Sequence, residues 1–460
     1  MSTPTLDQLR PRLKDRILGP TDPGWDEARR AWNLAVDQRP AAVARPESAD
    51  EVVAVVEVAR DQGLRVAPQG TGHGAGPRSS LEQSVLVDMS RVNAVQVDPG
   101  RRRARLQAGA QWQHVTGPAA EHGLAGLSGS APDVCVTGYA LGGGAGWMVR
   151  RYGFAANSIR AAEVVTADGG RIRADAETEP DLFWALRGGG GSFGVVTELE
   201  IELFPIREMF AGVLFWPQER ATEVLEAWGE WTATVPDEMS SLGRLLNLPP
   251  FEEIPEPLRG RSFVVVEAAW LGDEAGGSEV LAPLRELGPE IDTFGMITPA
   301  GLAGLHMDPP EPVPGAGDGM LLDDLSAQAV DALVAVAGPG TESPLVSVEI
   351  RHLGGAAGRQ SPENGALAAI GAPYILFAVG PAMTPEMLTA ATERLDRVQA
   401  ALAEWDGGRF LTFTERTVDP GRMFPHDTYR RLREVKAMYD PDDLFQANHE
   451  IPPAVPHPPT

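Results

Sequence analysis

The sequence predicts an α+β protein whose chain begins one domain, builds a second and returns to the first. Three observations predict it. Residues 42–68 read as strand, helix, strand and then a glycine loop, the layout of an α/β ligand site. From about residue 206, strand-like runs are separated by long helices, the pattern of an antiparallel sheet covered by helices. Three glycine clusters, 70–76, 138–146 and 188–194, are each flanked by apolar runs. These place one domain at 1–205, a second at 206–407, and a returning segment at 408–460.

Residues 26–39 are expected to hold a helix and the lead-in to a strand, and 42–46 a short strand ending at Pro46. Ser48 with Glu51 three residues on is a capping box. It opens a helix to about Gln62, with Val52, Val53, Val55, Val56 and Val58 on the buried side. Gly63 closes that helix and 64–68 is the next strand. Short strands follow at 84–89, 94–98 and 103–108, then a helix over 111–122. A hairpin turns at Asp168-Gly169, between 159–167 and 170–174. Residues 181–186 form a short helix and 194–203 an alternating strand. In the second domain, strands fall at 210–216, 241–247, 262–271, 345–353 and 374–379. Helices fall at 218–234, 278–287, 326–337 and 384–405. The stretch 307–319 carries four prolines and reads as a loop. A helix over 428–439 stops at Asp440-Pro441, and the proline-rich tail is expected to fray.

Composition excludes several functions. The net charge of −25 repels a phosphate backbone, so nucleic acid is not an expected partner. No run approaches the ~20 apolar residues of a membrane span. The polar N-terminus lacks the apolar core of a signal peptide, so a cytoplasmic protein is expected. Lys14 and Lys436 are the only lysines, and neither follows the glycines of a phosphate loop. Cys135 is the only cysteine and no His-Glu-x-x-His spacing occurs, so no metal site is expected.

The glycine clusters carry the functional signal. The first, Gln69-Gly70-Thr71-Gly72-His73-Gly74-Ala75-Gly76, offers successive backbone N–H groups to a pyrophosphate and holds one imidazole beside the ligand. By itself a lone histidine in a glycine turn is more often structural. The second contains Ser130-Ala131-Pro132-Asp133-Val134-Cys135-Val136-Thr137-Gly138-Tyr139 and Leu141-Gly142-Gly143-Gly144-Ala145-Gly146-Trp147. Neither cluster is a Gly-x-Gly-x-x-Gly fingerprint, because the third glycine position is Pro77 or Trp147. The third, Gly188 to Gly194, leads into Val195-Val196-Thr197, glycine backbone pressed on a ligand ahead of a strand.

Together these clusters resemble the berberine bridge enzyme-like oxidases. The resemblance adds Trp32-Asn33, Arg39-Pro40-Ala41-Ala42-Val43, Val435 to Phe445 and Ala447-Asn448-His449, and runs from about Trp25 to Ile451. It implies a two-part FAD-binding domain of the vanillyl-alcohol oxidase/p-cresol methylhydroxylase type, followed by a substrate domain. It implies FAD bonded through its 8α-methyl carbon to His73. The second, cysteinyl link of many relatives falls at Ala131, so a single covalent link is expected. The resemblance also places Gln69, Gly70, Thr71, Gly72, Gly74, Ser130, Thr137, Gly138, Gly142, Gly143, Gly146, Val196, Phe445 and Asn448 around the cofactor. Val134 stands at a position that in relatives admits oxygen. The implied reaction is oxidation of a small-molecule substrate, with molecular oxygen as acceptor and hydrogen peroxide as product. A dehydrogenase with another acceptor, or a flavin-binding protein without turnover, stays open.

The catalytic base is not given by the resemblance. Relatives use a Tyr near an Asn where this chain has Phe410-Leu411-Thr412-Phe413, or a Glu or Gln where it has an apolar residue near Ala378. Tyr139 is then the candidate base, with Arg351 to lower its pKa. Glu349 and Arg351 share one face of a strand and His352 the other, which makes the first two candidates for substrate contact or for an internal ion pair.

Overall fold

The computed structural model describes residues 3–78, 80–252 and 254–455. Three sheets organise it. The first has four strands in the order Ile17–Leu18, Ala42–Ala44, Ser84–Asp88 and Arg65–Gln69, the last three mutually parallel. Helix Ala49–Asp61 makes the crossover. Ser48 caps it by accepting the Glu51 N–H at 3.3 Å, as the spacing predicts. The reciprocal half of the box is absent: the Glu51 carboxylate instead takes the Glu47 N–H and the Arg16 guanidinium. The buried face is Val52, Ala54, Val55, Val56 and Ala59; Val53 and Val58 lie at its margins.

The second sheet is wholly antiparallel, in the order Val95–Asp98, Arg103–Gln107, Val195–Glu202, Ile159–Val165 and Arg171–Asp175. The predicted hairpin turns at Gly169, whose φ of +85° only glycine adopts freely.

The third sheet has nine strands, with Met209–Pro217, Ser262–Trp270, Met239–Asn247, Ser347–His352, Tyr374–Pro381 and Gly315–Leu322 adjacent in that order. Every pairing is antiparallel. Alternation along each strand divides its faces. Leu214, Val266, Val348, Ile350, Leu376 and Met320 face helices Ala221–Thr232, Glu274–Arg285, Ala327–Ala337 and Pro385–Ala401 in one apolar core. On the other face Met209, Ala211, Leu242 and Ala269 share a core with Trp112, Leu141 and Trp147 from the N-terminal half.

Four elements depart from expectation. Helix Thr3–Leu13 buries Leu9 and Leu13 in the core of the first sheet, within a segment whose polar composition hid it. Helix Trp25–Ala28 is a single turn, because the chain after it is drawn across the His73 loop, with the Trp32 N–H bonded to the Thr71 carbonyl. Helix Val136–Leu141 lies inside the second glycine cluster. The proline loop ends at Pro314, and Gly315–Leu322 is a strand inside the large sheet. Three glycines in eight residues conceal it, because glycine has low strand propensity. A Cβ on Gly319 would collide with the Phe413 and Leu376 carbonyls, and one on Gly317 would stand 2.9 Å from the Phe377 ring.

After helix His426–Tyr439 the chain returns to the first sheet. The Val66 N–H donates to the Leu444 carbonyl and the Gln446 N–H to the Val66 carbonyl, both at 2.8 Å. Lys436, fully buried, fixes this return. Its ammonium donates to the Ser192 carbonyl at 2.9 Å and to Asp440, and lies 3.0 Å from Asp443 Oδ1. Asp440 in turn accepts the Leu444 and Phe445 N–H groups. Among the described residues no helix is long and apolar enough to cross a membrane. Residues 456–460, expected to fray, lie outside the described residues.

Replacing Lys436 by Met leaves Asp440 buried without its counter-ion. Denaturant unfolding should show a loss of about 3–5 kcal/mol, partly recovered in Lys436→Met/Asp440→Leu.

Candidate active site

Strand Arg65–Gln69 delivers the chain into a tight loop at Gly70-Thr71-Gly72. A Cβ on Gly70 would collide with Cys135 Sγ, and one on Gly72, at φ +83°, would meet the Ala31 backbone at 2.9 Å. The loop is thus clamped from both sides and presents His73. The imidazole stacks on Trp32, with ring centroids 4.4 Å apart and planes inclined by 20°. Its Nδ1 lies 2.8 Å from the Thr71 hydroxyl and its Nε2 3.6 Å from Asp133 Oδ1. The Trp32 indole N–H donates to the other Asp133 oxygen at 2.6 Å. Burial raises the Asp133 pKa, but His73 and Trp32 outweigh it and hold the carboxyl below the usual range.

The other clusters meet this loop. Residues 129–134 form a half-exposed strip, and a Cβ on the exposed Gly138 would meet nothing within 4 Å. Gly188 and Gly190 both donate to the Leu141 carbonyl, joining the third cluster to the second. The return segment closes the ring. Thr412 and Leu411 abut Gly142, and Asn448 lies against Gly74 while accepting from Arg78 at 2.7 Å. Within this ring His73 Nε2, Asp133 Oδ1, Thr137 Oγ1 and Thr412 Oγ1 are buried without a hydrogen-bond partner among the described residues. Glycine backbone open to the cleft and unpartnered polar atoms at its edge fit a flat heteroaromatic group with a polar tail, which FAD is.

Several expected cofactor contacts point elsewhere. Gln69 is buried and spends its amide on Gln38 and the Arg30 carbonyl. The Phe445 ring lies in the core of the first sheet and Val196 in that of the second, so each supports the cleft from behind. Gly146 packs its backbone on the Ser128 carbonyl. Ser130, Ala131 and Val134 lie on the half-exposed strip, although the Val134 carbonyl accepts the Trp112 N–H. Cys135 is buried behind Gly70, donates to the Ala108 carbonyl at 3.1 Å, and has its thiol pKa pushed up by burial.

Tyr139 does not serve the role of base. The ring packs against Gly144 and edge-on to Trp112, and its hydroxyl is enclosed beneath Gly129 and Gly146. Burial drives the phenol pKa well above its ordinary value, and the opposing Arg351 charge is the lesser effect.

Glu349 and Arg351 do share one sheet face, the one opposite the covering helices, and the structure adds three residues to them. Arg244 donates to Glu267 Oε1 at 3.0 Å; Glu267 Oε2 lies 2.7 Å from His306 Nδ1; His306 Nε2 lies 2.8 Å from Glu349 Oε2; and Arg351 Nε donates to Glu349 Oε1 at 2.7 Å. Burial and Arg244 push the His306 pKa down, but Glu267, Glu349 and Asp308 outweigh them and raise it to about 9. Burial raises the Glu349 pKa, yet Arg351 and His306 depress it far below the carboxylate range. With Oε1 bonded to Arg351 and Oε2 in ion-pair contact with His306, Glu349 is a weak base. Glu267 and Arg244 were visible in the sequence as lone charges inside the apolar runs 263–269 and 242–246. His306 sits just past a 3-10 turn with no local signal.

Residues 40–175 match the FAD binding domain family, and residues 416–452 the family described as berberine and berberine like. (R)-6-hydroxynicotine oxidase of Paenarthrobacter nicotinovorans is 28% identical over 467 residues, spanning 96% of this chain and 97% of its own. The chain thus carries an FAD binding domain and a berberine-like segment, and is similar over nearly its whole length to FAD-linked oxidases. Solved structures of this kind share its fold. 6-Hydroxy-D-nicotine oxidase from Arthrobacter nicotinovorans matches with a TM-score of 0.82 at 24% identity, over 98% of this chain and 99% of its own. Glucooligosaccharide oxidase from Acremonium strictum, described with a 6-S-cysteinyl, 8α-N1-histidyl FAD, matches with 0.81 at 21%, over 97% and 99%. The chain thus has the FAD-binding fold of the vanillyl-alcohol oxidase/p-cresol methylhydroxylase type.

The raised His306 pKa has a consequence for stability. A folded-state pKa above the ordinary 6.5 stabilises the fold fully below pH 6.5, and that contribution is lost as pH rises through about 9. Denaturant unfolding should show a loss on the order of 3 kcal/mol between about pH 6 and about pH 10. His306→Gln should be less stable at the lower pH and largely lack this dependence.

Proposed function

We propose that the protein is an FAD-dependent oxidase that removes hydride from a C–H bond of a small molecule. In this reading FAD is held by a single covalent bond to His73, and molecular oxygen is the acceptor, giving hydrogen peroxide. The flavin domain comprises 1–205 with 408–460, and the substrate domain 206–407. The observation that carries the reading is the disposition of three residues around one cleft. His73 stands at the rim with an unpartnered ring nitrogen, Ala131 occupies the half-exposed strip, and the only cysteine is buried behind Gly70.

Bound FAD supplies the hydride acceptor. The chain's own residues prepare the attachment. The Thr71 hydroxyl engages Nδ1, which leaves the unpartnered Nε2, 3.6 Å from the ionised Asp133 carboxylate, as the nitrogen for bonding. Trp32 stacking fixes the ring plane, and the Thr71 hydroxyl holds Nδ1 in register. Thr137, Thr412 and Asn448 border the same cleft and orient the ring and its tail. Val134 leaves the strip open to oxygen.

Acid precipitation tests the link. Wild-type protein should remain yellow after denaturation, His73→Ala should release its flavin, and Asp133→Asn should lower the acid-stable fraction. Ala131→Cys should gain a second, thioether link. Flavin that leaves the wild-type protein in acid contradicts the reading. Substrate turnover with stoichiometric peroxide supports the oxidase; dye reduction without oxygen uptake supports a dehydrogenase.

A further inference from the structure

The buried charges on the inner face of the large sheet alternate in sign. The order is Arg244, Glu267, His306, Glu349, Arg351, with each carboxylate shared between two cations. Such a chain has a cation at each end. Arg244 is anchored through Nε, which donates to the Ser347 hydroxyl at 2.8 Å, and through one terminal nitrogen, which also donates to the His306 carbonyl at 2.9 Å. Arg351 Nε is committed to Glu349, while its two terminal nitrogens make no hydrogen bond among the described residues. Asp308, the one further acid nearby, lies 3.9 Å from His306.

The free end of Arg351 borders a small, partly open cavity of about 20 Å³ between the second glycine cluster and the sheet. Gly146, Trp147, Ser240 and Leu242 also line it. Trp147 is 4% exposed, and its indole N–H, which can only donate, is buried without an acceptor. The guanidinium carbon lies 5.0 Å from the centroid of the Phe413 ring, and Phe413 adjoins Thr412 on the cleft. Three residues that carry donors, Arg351, Trp147 and Ser240, thus line a cavity whose wall is mainly apolar. Its volume admits a group of about water size, the end of a ligand and not a whole one. A guanidinium fork of this kind matches a carboxylate in a bidentate pair.

We propose that Arg351 is the handle for a carboxylate on the substrate, so that the protein oxidises a small alcohol or amine that also carries an acid group. Glu349 is the positioning residue. It fixes the Arg351 side chain through Nε and turns both terminal nitrogens to the ligand, with His306 keeping Glu349 ionised behind it. This rests on the reading of the cleft as the reaction site.

The test uses flavin-loaded protein titrated with acetate, propionate and benzoate, each against its neutral amide, followed by the shift in flavin absorbance and by calorimetry. Carboxylates should bind the wild type at least about tenfold more tightly than the matched amides. Arg351→Gln should abolish that preference, Arg351→Lys should keep part of it, and Trp147→Phe should weaken carboxylates more than amides. Equal binding of acids and amides, no carboxylate binding up to about 100 mM, or an undiminished preference in Arg351→Gln would overturn the proposal. Should Arg351→Gln fail to load flavin, the Lys and Phe variants decide by the same comparison. Failure of the carboxylate preference in protein that holds flavin and oxidises neutral substrates refutes this inference alone. Wild-type protein that holds no flavin refutes the reading beneath it.

Discussion

Lys436 carries a full positive charge into a place with no exposed surface, between the third glycine cluster and the segment that completes the first sheet. A buried ammonium is tolerated only when its donors are satisfied and its charge is met. Here the Ser192 carbonyl, Asp440 and Asp443 do both. The arrangement makes the C-terminal return obligatory. Asp440 needs Lys436, Leu444 and Phe445 need Asp440, and Val66 pairs with both sides of Phe445. The return in turn brings Asn448 against Gly74, so the histidine loop is built on the first sheet but closed by the last residues of the fold.

A second constraint is close backbone approach. Around the cleft the loops lie where side chains would collide: Gly70 on Cys135, Gly72 on Ala31, Gly142 on Thr412 and Gly143 on Phe410. Glycine there is required by contact, whereas the exposed Gly138 meets nothing within 4 Å. That is why the clusters were legible in sequence. Long apolar runs bounded by turn residues made most strands and helices legible too, because their periodicity is local. What the sequence concealed depended on distant partners. The strand Gly315–Leu322 looks like loop because its glycines answer to Phe377 and Phe413. Helix Thr3–Leu13 is polar by composition and apolar only at the positions that meet the core.

The same distinction separates the two halves of the candidate site. The cofactor side is carried by contiguous motifs, and the structure brings the His73 loop and Asn448 together, with Asn448 against Gly74. The substrate side is carried by single residues from different elements. Glu349 and Arg351 were legible as one strand face, but His306 joins them across the sheet from a turn without sequence signal. Tyr139 shows the limit most clearly. Its position in the chain placed it beside the ring, yet Gly129 and Gly146 enclose its hydroxyl, and burial drives its pKa up, away from that of a base.

The central claim is that one histidine, and no cysteine, binds the flavin. Peptide mapping of a tryptic digest by mass spectrometry tests it most directly. The flavin mass should appear on peptide 66–78, which contains His73, and be absent from peptide 106–150, which contains Ala131 and Cys135. Flavin found free after digestion, or carried by the peptide with Cys135, would contradict the account.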